Sequence, residues 1–212
     1  MKEHPILFSG PMVRAILDGT KTQTRRVIRP LAPWESTDEG IDIEVAIGNI
    51  KCPFGVKGDV LWVREAFGYM YPSVDGPESE GITYKDKDYL EGRELTLQEC
   101  DIKYRATEPN ACWMGDDGEP CTMWKPSIHM PRWASRINLE ITGIRAERVQ
   151  DITNEDAIAE GCPGEKLYPD EGYSEIPPDP YEEFAILWDP INEKRGYGWN
   201  ENPWVWVIEF HR

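Results

Sequence analysis

The sequence predicts an α+β fold, namely a small mixed β-barrel with peripheral helices and long loop insertions. The candidate strands and helices do not alternate regularly along the chain, which argues against a parallel doubly wound sheet. Two segments, 136–149 and 203–210, alternate apolar and polar residues as half-buried strands do. Two others, 68–101 and 162–180, are rich in proline, glycine and acidic residues without a clear period, so we expect them to be insertions in a single domain that spans residues 1–212.

Local signals set the ends of the predicted elements. Pro11 suits the first turn of a helix that is capped at Gly19. Thr153 is a suitable N-cap for a helix that begins at the next residue, with Asp156 three positions after the cap. The remaining helix is expected at 181–189, and the strands at 5–9, 22–28, 60–67, 102–106, 136–149 (with a turn at Gly143) and 203–210. We expect residues 5–29, 59–67, 102–106, 136–149 and 203–210 to build one barrel.

Composition narrows the classes of function. The 212 residues contain no run of 18 or more apolar residues and no signal-peptide pattern, so we expect a cytoplasmic protein without a membrane span. The five cysteines are irregularly spaced and include no CxxC pair, which predicts reduced thiols rather than a disulfide framework. Cys112, Cys121 and His129 are too loosely spaced to predict a zinc site, and we expect neither a metal nor a cofactor.

The charge is unevenly distributed along the chain. A net charge of −16 argues against unspecific binding of duplex DNA, which depends on phosphate neutralisation. Residues 1–29 nevertheless hold six Lys or Arg against two acidic residues, and residues 124–148 hold five against two. Residues 150–183 hold eleven acidic residues against one Lys. Either basic segment could therefore bind an anionic ligand locally.

The first basic segment carries Lys21, Thr24 and Arg26 just after the predicted helix. Side chains alternate along a strand, so Thr24 and Arg26 share a face, and Lys21 can join that face if it precedes regular strand geometry. The three groups would then form an anion or oxyanion site, in which a desolvated lysine can activate the hydroxyl. The alternative is a solvated basic strand edge that discourages pairing with other chains.

Glu65 is a carboxylate on an otherwise apolar face of a predicted strand. Burying a charge is unfavourable unless it is paired, so Glu65 is either a general acid or base with a raised pKa or an ion-pair partner of Lys21 or Arg26. The two interpretations overlap, because an ion pair inside a cleft can serve both roles. We predict that Lys21, Thr24, Arg26 and Glu65 line one cleft.

The second basic segment contains a loop, 124–136, whose backbone is restricted by two prolines. Trp133 and Arg132 offer planar groups on which a base can stack, and Ser127 and His129 offer hydrogen-bonding groups. The alternative is a buried tryptophan anchor with arginine ion pairs. We predict that the loop forms a wall of the same cleft.

The ordered set of motifs resembles the ASCH domain family. Gly19-x-Lys21-x-x-Thr24-x-Arg26, placed after a strand and a short helix, is similar to the family motif of Gly-x-Lys followed by an acidic or hydroxyl residue and an Arg. The resemblance covers the chain end to end apart from the two insertions, and the overall pattern looks like the phage and prophage branch of the family. Further similar pieces are the Pro-Ile-Leu-Phe at Pro5, the Gly58-Asp59 turn into Leu61–Glu65, Ser127–Pro131 and the Pro-Trp-Val-Trp-Val at Pro203.

The resemblance implies a PUA-like barrel whose cleft takes a modified nucleoside or single-stranded RNA. Some small family members hydrolyse the amide of N4-acetylcytidine with a lysine, a threonine and a glutamate, which Lys21, Thr24 and Glu65 match. Thr24 or a water would attack the acyl carbonyl, Lys21 would take the proton, and Glu65 would protonate the leaving amine. Arg26 would bind Glu65 or the oxyanion.

Two alternatives to this amidohydrolase use the same cleft. A non-catalytic RNA-binding or nucleotide-binding module would stack bases on Trp133 and Arg132. A ribonuclease would stabilise the phosphorane with Lys21 and Arg26 and transfer protons through His129. The threonine hydroxyl distinguishes them, since amide hydrolysis needs Thr24 or a nearby water and RNA retention does not.

Overall fold

The computed structural model describes residues 1–29, 51–70, 101–111, 113–114, 120–121, 124–164 and 179–212, and the fold is mixed α/β. Most of the two predicted insertions, 68–101 and 162–180, therefore lies outside the described residues. The strands are β1 (Glu3–Leu7), β2 (Gln23–Val27), β3 (Val60–Arg64), β4 (Phe67–Met70), β5 (Asp101–Tyr104), β6 (Trp113–Met114), β7 (Pro120–Cys121), β8 (Asn138–Arg148) and β9 (Trp204–His211). The helices are α1 (Gly10–Leu17), α2 (Asn154–Ala159) and α3 (Pro180–Asn192).

The described strands form one five-stranded sheet in the order β1-β3-β8-β9-β2 and two two-stranded sheets, β4-β5 and β6-β7. The described chain divides into two compact units. Unit 1 comprises Met1–Pro5, Ala15–Leu61 and Asn138–Arg212, and unit 2 comprises Ile6–Arg14 and Trp62–Ile137.

In unit 1, β9 pairs antiparallel with β8 on one side and with β2 on the other. Both edges of β9 are therefore paired, and the four residues from Val205 to Ile208 are all buried. The helices α2 and α3 pack over the sheet on a core whose buried members are Val149, Ile152, Ala157, Cys162, Phe184, Trp188, Val205 and Val207. This core positions α2 beside β2, where the lysine motif lies.

The predicted helix after Thr153 is confirmed as α2. The Thr153 side chain accepts a hydrogen bond of 3.1 Å from the backbone N–H of Asp156, as an N-cap residue does. The helix ends before Gly161, whose φ of 91° lies in the left-handed region that favours glycine. The chain therefore turns sharply directly after Glu160.

The turn predicted at Gly143 is wrong, because β8 continues through this position with a register shift between Ile141 and Gly143. A Cβ at Gly143 would lie 2.7 Å from a carboxylate oxygen of Glu209 on the paired strand. The glycine therefore permits close approach within a bulge rather than a reversal of the chain.

In unit 2, the strand predicted at 60–67 is divided. β3 ends at Arg64, and β4 begins at Phe67 because the hydrogen-bonding partner changes: Phe67 exchanges backbone hydrogen bonds of 3.2 and 2.7 Å with Lys125 and pairs with Tyr104 of β5. The small core of this unit consists of Phe67, Tyr104, Met130 and Ala134.

Candidate functional site

Lys21 is a buried charged residue of unit 1, and its side chain has no exposed surface. Its backbone N–H donates a hydrogen bond of 3.0 Å to the carbonyl of Ala15, so regular strand geometry begins only at Gln23. The Lys21 Nζ donates to the backbone carbonyl of Glu160 at 2.7 Å and to the Oε2 atom of the same residue at 2.5 Å. The turn at Gly161 brings α2 onto the lysine, and a Cβ at that glycine would lie 3.6 Å from the Cβ of Lys21.

Burial lowers the pKa of Lys21 below its ordinary value of 10.5, and this effect outweighs the charge and hydrogen bond of Glu160, which raise it. The positive charge of Arg26 lowers the Lys21 pKa further. Burial also raises the pKa of the neighbouring Cys162 thiol to about 12, so this thiol is neutral at physiological pH. The amine thus becomes neutral more readily than that of an exposed lysine.

Arg25 links the lysine pair to a wider buried network. Its guanidinium has no exposed surface and donates to Gln23 at 2.6 Å, to Glu147 at 2.6 Å, to Asp156 at 2.9 Å and to Glu160 at 3.4 Å. A second bond to Glu147, from Nε at 3.1 Å, brings the number of hydrogen bonds to five, which matches the five N–H donors of a guanidinium. Arg25 and Lys21 therefore meet on the same carboxylate, that of Glu160.

Arg145 extends the network towards solvent. It donates to Glu147 and Asp156 at 3.0 Å each, and it also pairs with Glu209. Although burial raises the pKa of Asp156, the hydrogen bond from Gln23 and the charges of the two arginines lower it below its ordinary value. This side of unit 1 is a structural ion-pair network with the lysine at its most buried end.

Thr24 and Arg26, the other predicted site residues of unit 1, occupy alternate positions of β2. Thr24 is 3% exposed and lies opposite Ile208 of β9. Burial lowers the pKa of Arg26, while the charge of Glu160 raises it. Lys21 and Arg26 are thus neighbours that both respond to Glu160, a carboxylate that the sequence did not single out.

Glu65 belongs to unit 2, and its side chain is 2% exposed. Both carboxylate oxygens accept hydrogen bonds from Arg136, at 2.9 Å from Nε and 3.1 Å from Nη2. The guanidinium carbon of Arg136 lies 3.9 Å from the centre of the Tyr104 ring. The buried carboxylate therefore has a bidentate partner, in the role that the sequence assigned to Lys21 or Arg26.

The loop of unit 2 is built from two short 3₁₀ turns, Ser127–His129 and Arg132–Ala134. The guanidinium carbons of Arg64 and Arg132 lie 5.5 and 5.8 Å from the centre of the Trp62 ring, and Arg64 also donates to the carbonyl of Ile128. We call Trp62, Arg64 and Arg132 the arginine–tryptophan cluster. Its tryptophan is Trp62 of β3, which is partly buried.

The four predicted binding residues of the loop have different surroundings. His129 is exposed and Ser127 is partly buried. Trp133 is partly buried and packs on the small core of unit 2, whereas Arg132 joins Trp62. Trp133 therefore acts at least in part as the packing anchor that the alternative interpretation proposed.

Among the described residues, no group of three or more His, Cys, Asp or Glu side chains is arranged to hold a metal ion, and Cys112 lies outside those residues. Within the same ranges, no helix is long and apolar enough to cross a membrane. Comparisons of the chain with protein-family models, with curated proteins and with solved structures find no match.

Proposed function

We propose that this chain is an ASCH-type protein of PUA-like barrel fold that acts on RNA or modified nucleosides, and that it hydrolyses an acyl amide at N4 of cytidine. The observation that supports this function is the Lys21 amine. It is buried, its pKa is lowered, and it lies three residues before Thr24, as the motif requires. A desolvated lysine of this kind is suited to act as a base at neutral pH.

In the proposed reaction the neutral amine of Lys21 takes a proton from the nucleophile as the nucleophile oxygen attacks the acyl carbonyl. Because the Lys21 side chain has no exposed surface, it acts through a group that lies between it and the substrate, either the Thr24 hydroxyl or a water. The proton then passes to the N4 nitrogen as the C–N bond breaks, which releases cytidine. If water is the nucleophile, the acyl group leaves as the free carboxylic acid; if the Thr24 hydroxyl is the nucleophile, the acyl group remains as an ester on Thr24, which a water then hydrolyses to the acid. Glu65 as the proton donor to the leaving amine stays a prediction.

The test is to incubate the protein with N4-acylated cytidines and with short RNAs that contain them, and to analyse the products by mass spectrometry. We expect cytidine and the free carboxylic acid. Lys21→Arg keeps the positive charge but removes the base, so the rate should fall by about 10²–10⁴-fold. Lys57→Arg, at an exposed position, is the matched control. The absence of product from the whole panel, or an unchanged rate in a folded Lys21→Arg protein, would contradict the proposal.

A second candidate function, retention of single-stranded RNA without chemistry, is supported by the arginine–tryptophan cluster. Residues 124–137 contain three Lys or Arg and no acidic residue, in a chain whose net charge is −16. An indole ring beside guanidinium groups suits a stacked base and its phosphate. Because these side chains belong to unit 2, this function can be tested separately from Lys21.

Binding of a labelled single-stranded RNA would be measured by fluorescence anisotropy at several salt concentrations. Trp62→Ala should weaken binding by about 5–150-fold, the worth of one base stacked on an aromatic ring. Arg132→Ala should weaken binding and reduce its salt dependence. Arg105→Ala, at an exposed position of the same unit, is the control. Equal affinity of all four proteins, or equal affinity for an acidic peptide, would exclude this candidate.

A further inference from the structure

We propose that the exposed face of α3 is an interface at which two copies of this chain pair, with the two helices antiparallel and related by a two-fold axis. The inference concerns the surface of unit 1 and does not depend on the function proposed above.

Helix α3 is apolar on two sides. Phe184 and Trp188 are buried in the core of unit 1. On the other side of its last two turns, apolar side chains keep a large part of their surface exposed, namely 45% for Ile186, 39% for Leu187 and 51% for Ile191, and Pro190 is exposed as well. Residues four positions apart are neighbours on a helix, so the four side chains form one continuous face. Single exposed apolar residues are common, whereas a continuous face of this kind marks a site of interaction.

Pro190 is unfavourable for the helix itself. Proline has no backbone N–H, so the carbonyl of Ile186 lacks the hydrogen bond that position 190 would otherwise donate to it. Because Pro190 is exposed, it adds little to the core that could offset this loss. It does add apolar surface between Ile186 and Leu187, which favours a role in contact with a partner.

The charges at the two ends of α3 indicate that the partner is a second copy. Asp179 and Glu182 are exposed at the start of the helix. The exposed turn Glu193–Arg195, directly after its end, holds two basic residues and one acidic residue. In an antiparallel pair the acidic start of each helix lies beside the basic end of the other, and the helix dipoles also attract. A parallel pair would bring like charges together.

The apolar side chains are placed symmetrically about the middle of this face. In an antiparallel pair centred at the level of Trp188 and Asp189, Ile186 of one copy lies opposite Ile191 of the second copy, and Leu187 lies opposite Pro190. A two-fold interface needs this self-complementarity, because every contact occurs twice. One helix face is smaller than the interface of about 1,200–2,000 Å² that a stable complex buries, so we expect a weak dimer.

The experiment is sedimentation equilibrium of the full chain from about 10 μM to about 1 mM, in which a weak dimer is measurable. About 0.15 M salt limits the repulsion between two copies of net charge −16 to about 8 Å. We expect the average mass to rise with concentration towards that of a dimer. Ile186→Lys and Ile191→Asp should each weaken dimerisation by at least about tenfold, since each places two unpaired charges in the contact.

The matched control is Val56→Lys, at a position that is 65% exposed on the turn before β3, and it should dimerise as the parent does. An equimolar mixture of Ile186→Lys and Ile191→Asp tests the antiparallel arrangement. In the mixed dimer the introduced lysine faces the introduced aspartate, and the remaining two isoleucines face each other. The mixture should therefore dimerise at least about tenfold more tightly than either variant alone.

Both substituted positions are exposed, so both variants should fold, which circular dichroism checks, and weakening can be read from either one. A parent chain that stays monomeric over the whole range overturns the proposal, even if α3 then binds a peptide or a lipid vesicle. So does a dimer that neither variant weakens. A mixture that dimerises no better than the single variants would also overturn it, because the two positions would then not face each other.

Discussion

Replacing Arg136 by methionine removes the only group that binds both oxygens of Glu65 among the described residues. Methionine keeps an apolar side chain against the Tyr104 ring, so the main loss is the charge. Removing one partner of a fully buried ion pair costs about 3–5 kcal/mol, because an uncompensated charge stays behind. The Glu65 side chain is 2% exposed but that of Arg136 is 27% exposed, so water reaches part of the pair. We therefore expect a loss of about 2–4 kcal/mol in the free energy of unfolding.

The assay is urea unfolding at neutral pH, followed by circular dichroism. The matched control is Arg105→Met, at an exposed position next to Tyr104, which should change the free energy of unfolding by less than about 0.5 kcal/mol. Glu65→Gln combined with Arg136→Met removes both charges, so the double variant should be more stable than the sum of the single changes predicts. A coupling energy near zero, or an Arg136→Met protein as stable as the control, would refute the reasoning.

Three further predictions concern unit 1. Arg25→Met should reduce the free energy of unfolding by about 2–4 kcal/mol in urea, since the buried Glu160 and the partly buried Glu147 and Asp156 lose a shared cation. The pKa of Cys162 is about 12 in the fold against 9.0 ordinarily, so the stability that the thiol contributes is fully present below pH 9 and is lost between pH 9 and 12. Melting temperatures from pH 8 to 11 should therefore fall less steeply in Cys162→Ala than in the parent. Thr153→Ala removes the N-cap of α2 and should lower the free energy of unfolding by about 1 kcal/mol, measured by the same urea titration; no change would mean that the cap is replaced by solvent.

Local patterns predicted the elements that local forces determine. The cap at Thr153 identified α2, and the alternation of buried and exposed residues identified the first part of β8. The division between β3 and β4 could not be predicted, because it depends on a distant residue. Phe67, the first residue of β4, forms its backbone hydrogen bonds with Lys125 rather than with the strand that pairs with β3. The bulge at Gly143 was taken for a turn because the same residue serves both purposes, and only the paired strand decides between them.

In the site, too, the residue that stands out in its local sequence was predicted, and its partner from a distant part of the chain was not. The sequence selected Lys21 as unusual, and the lysine is buried with a perturbed pKa. It did not select Glu160, which lies 139 positions further along the chain. A signal was present, since Lys21, Gln23 and Arg25 alternate along one segment, and Asp156 and Glu160 share one face of a helix. A basic set of side chains on a strand and an acidic set on one helix face together predict that a helix packs on the strand. They do not identify which of the helices it is.

The central place of β9 in unit 1 determines when this protein can fold during synthesis. β9 is the last described strand, yet it separates β8 from β2, which otherwise have no shared hydrogen bonds in the described sheet. Until residues 204–211 leave the ribosome, β2 lacks the strand with which it pairs, and the edge of β8 that faces β9 has unpaired backbone groups. The nascent chain therefore exposes these two strand edges from the synthesis of β8 until β9 emerges, and a chain that stops short of Trp204 would be an aggregation-prone product rather than a smaller folded one.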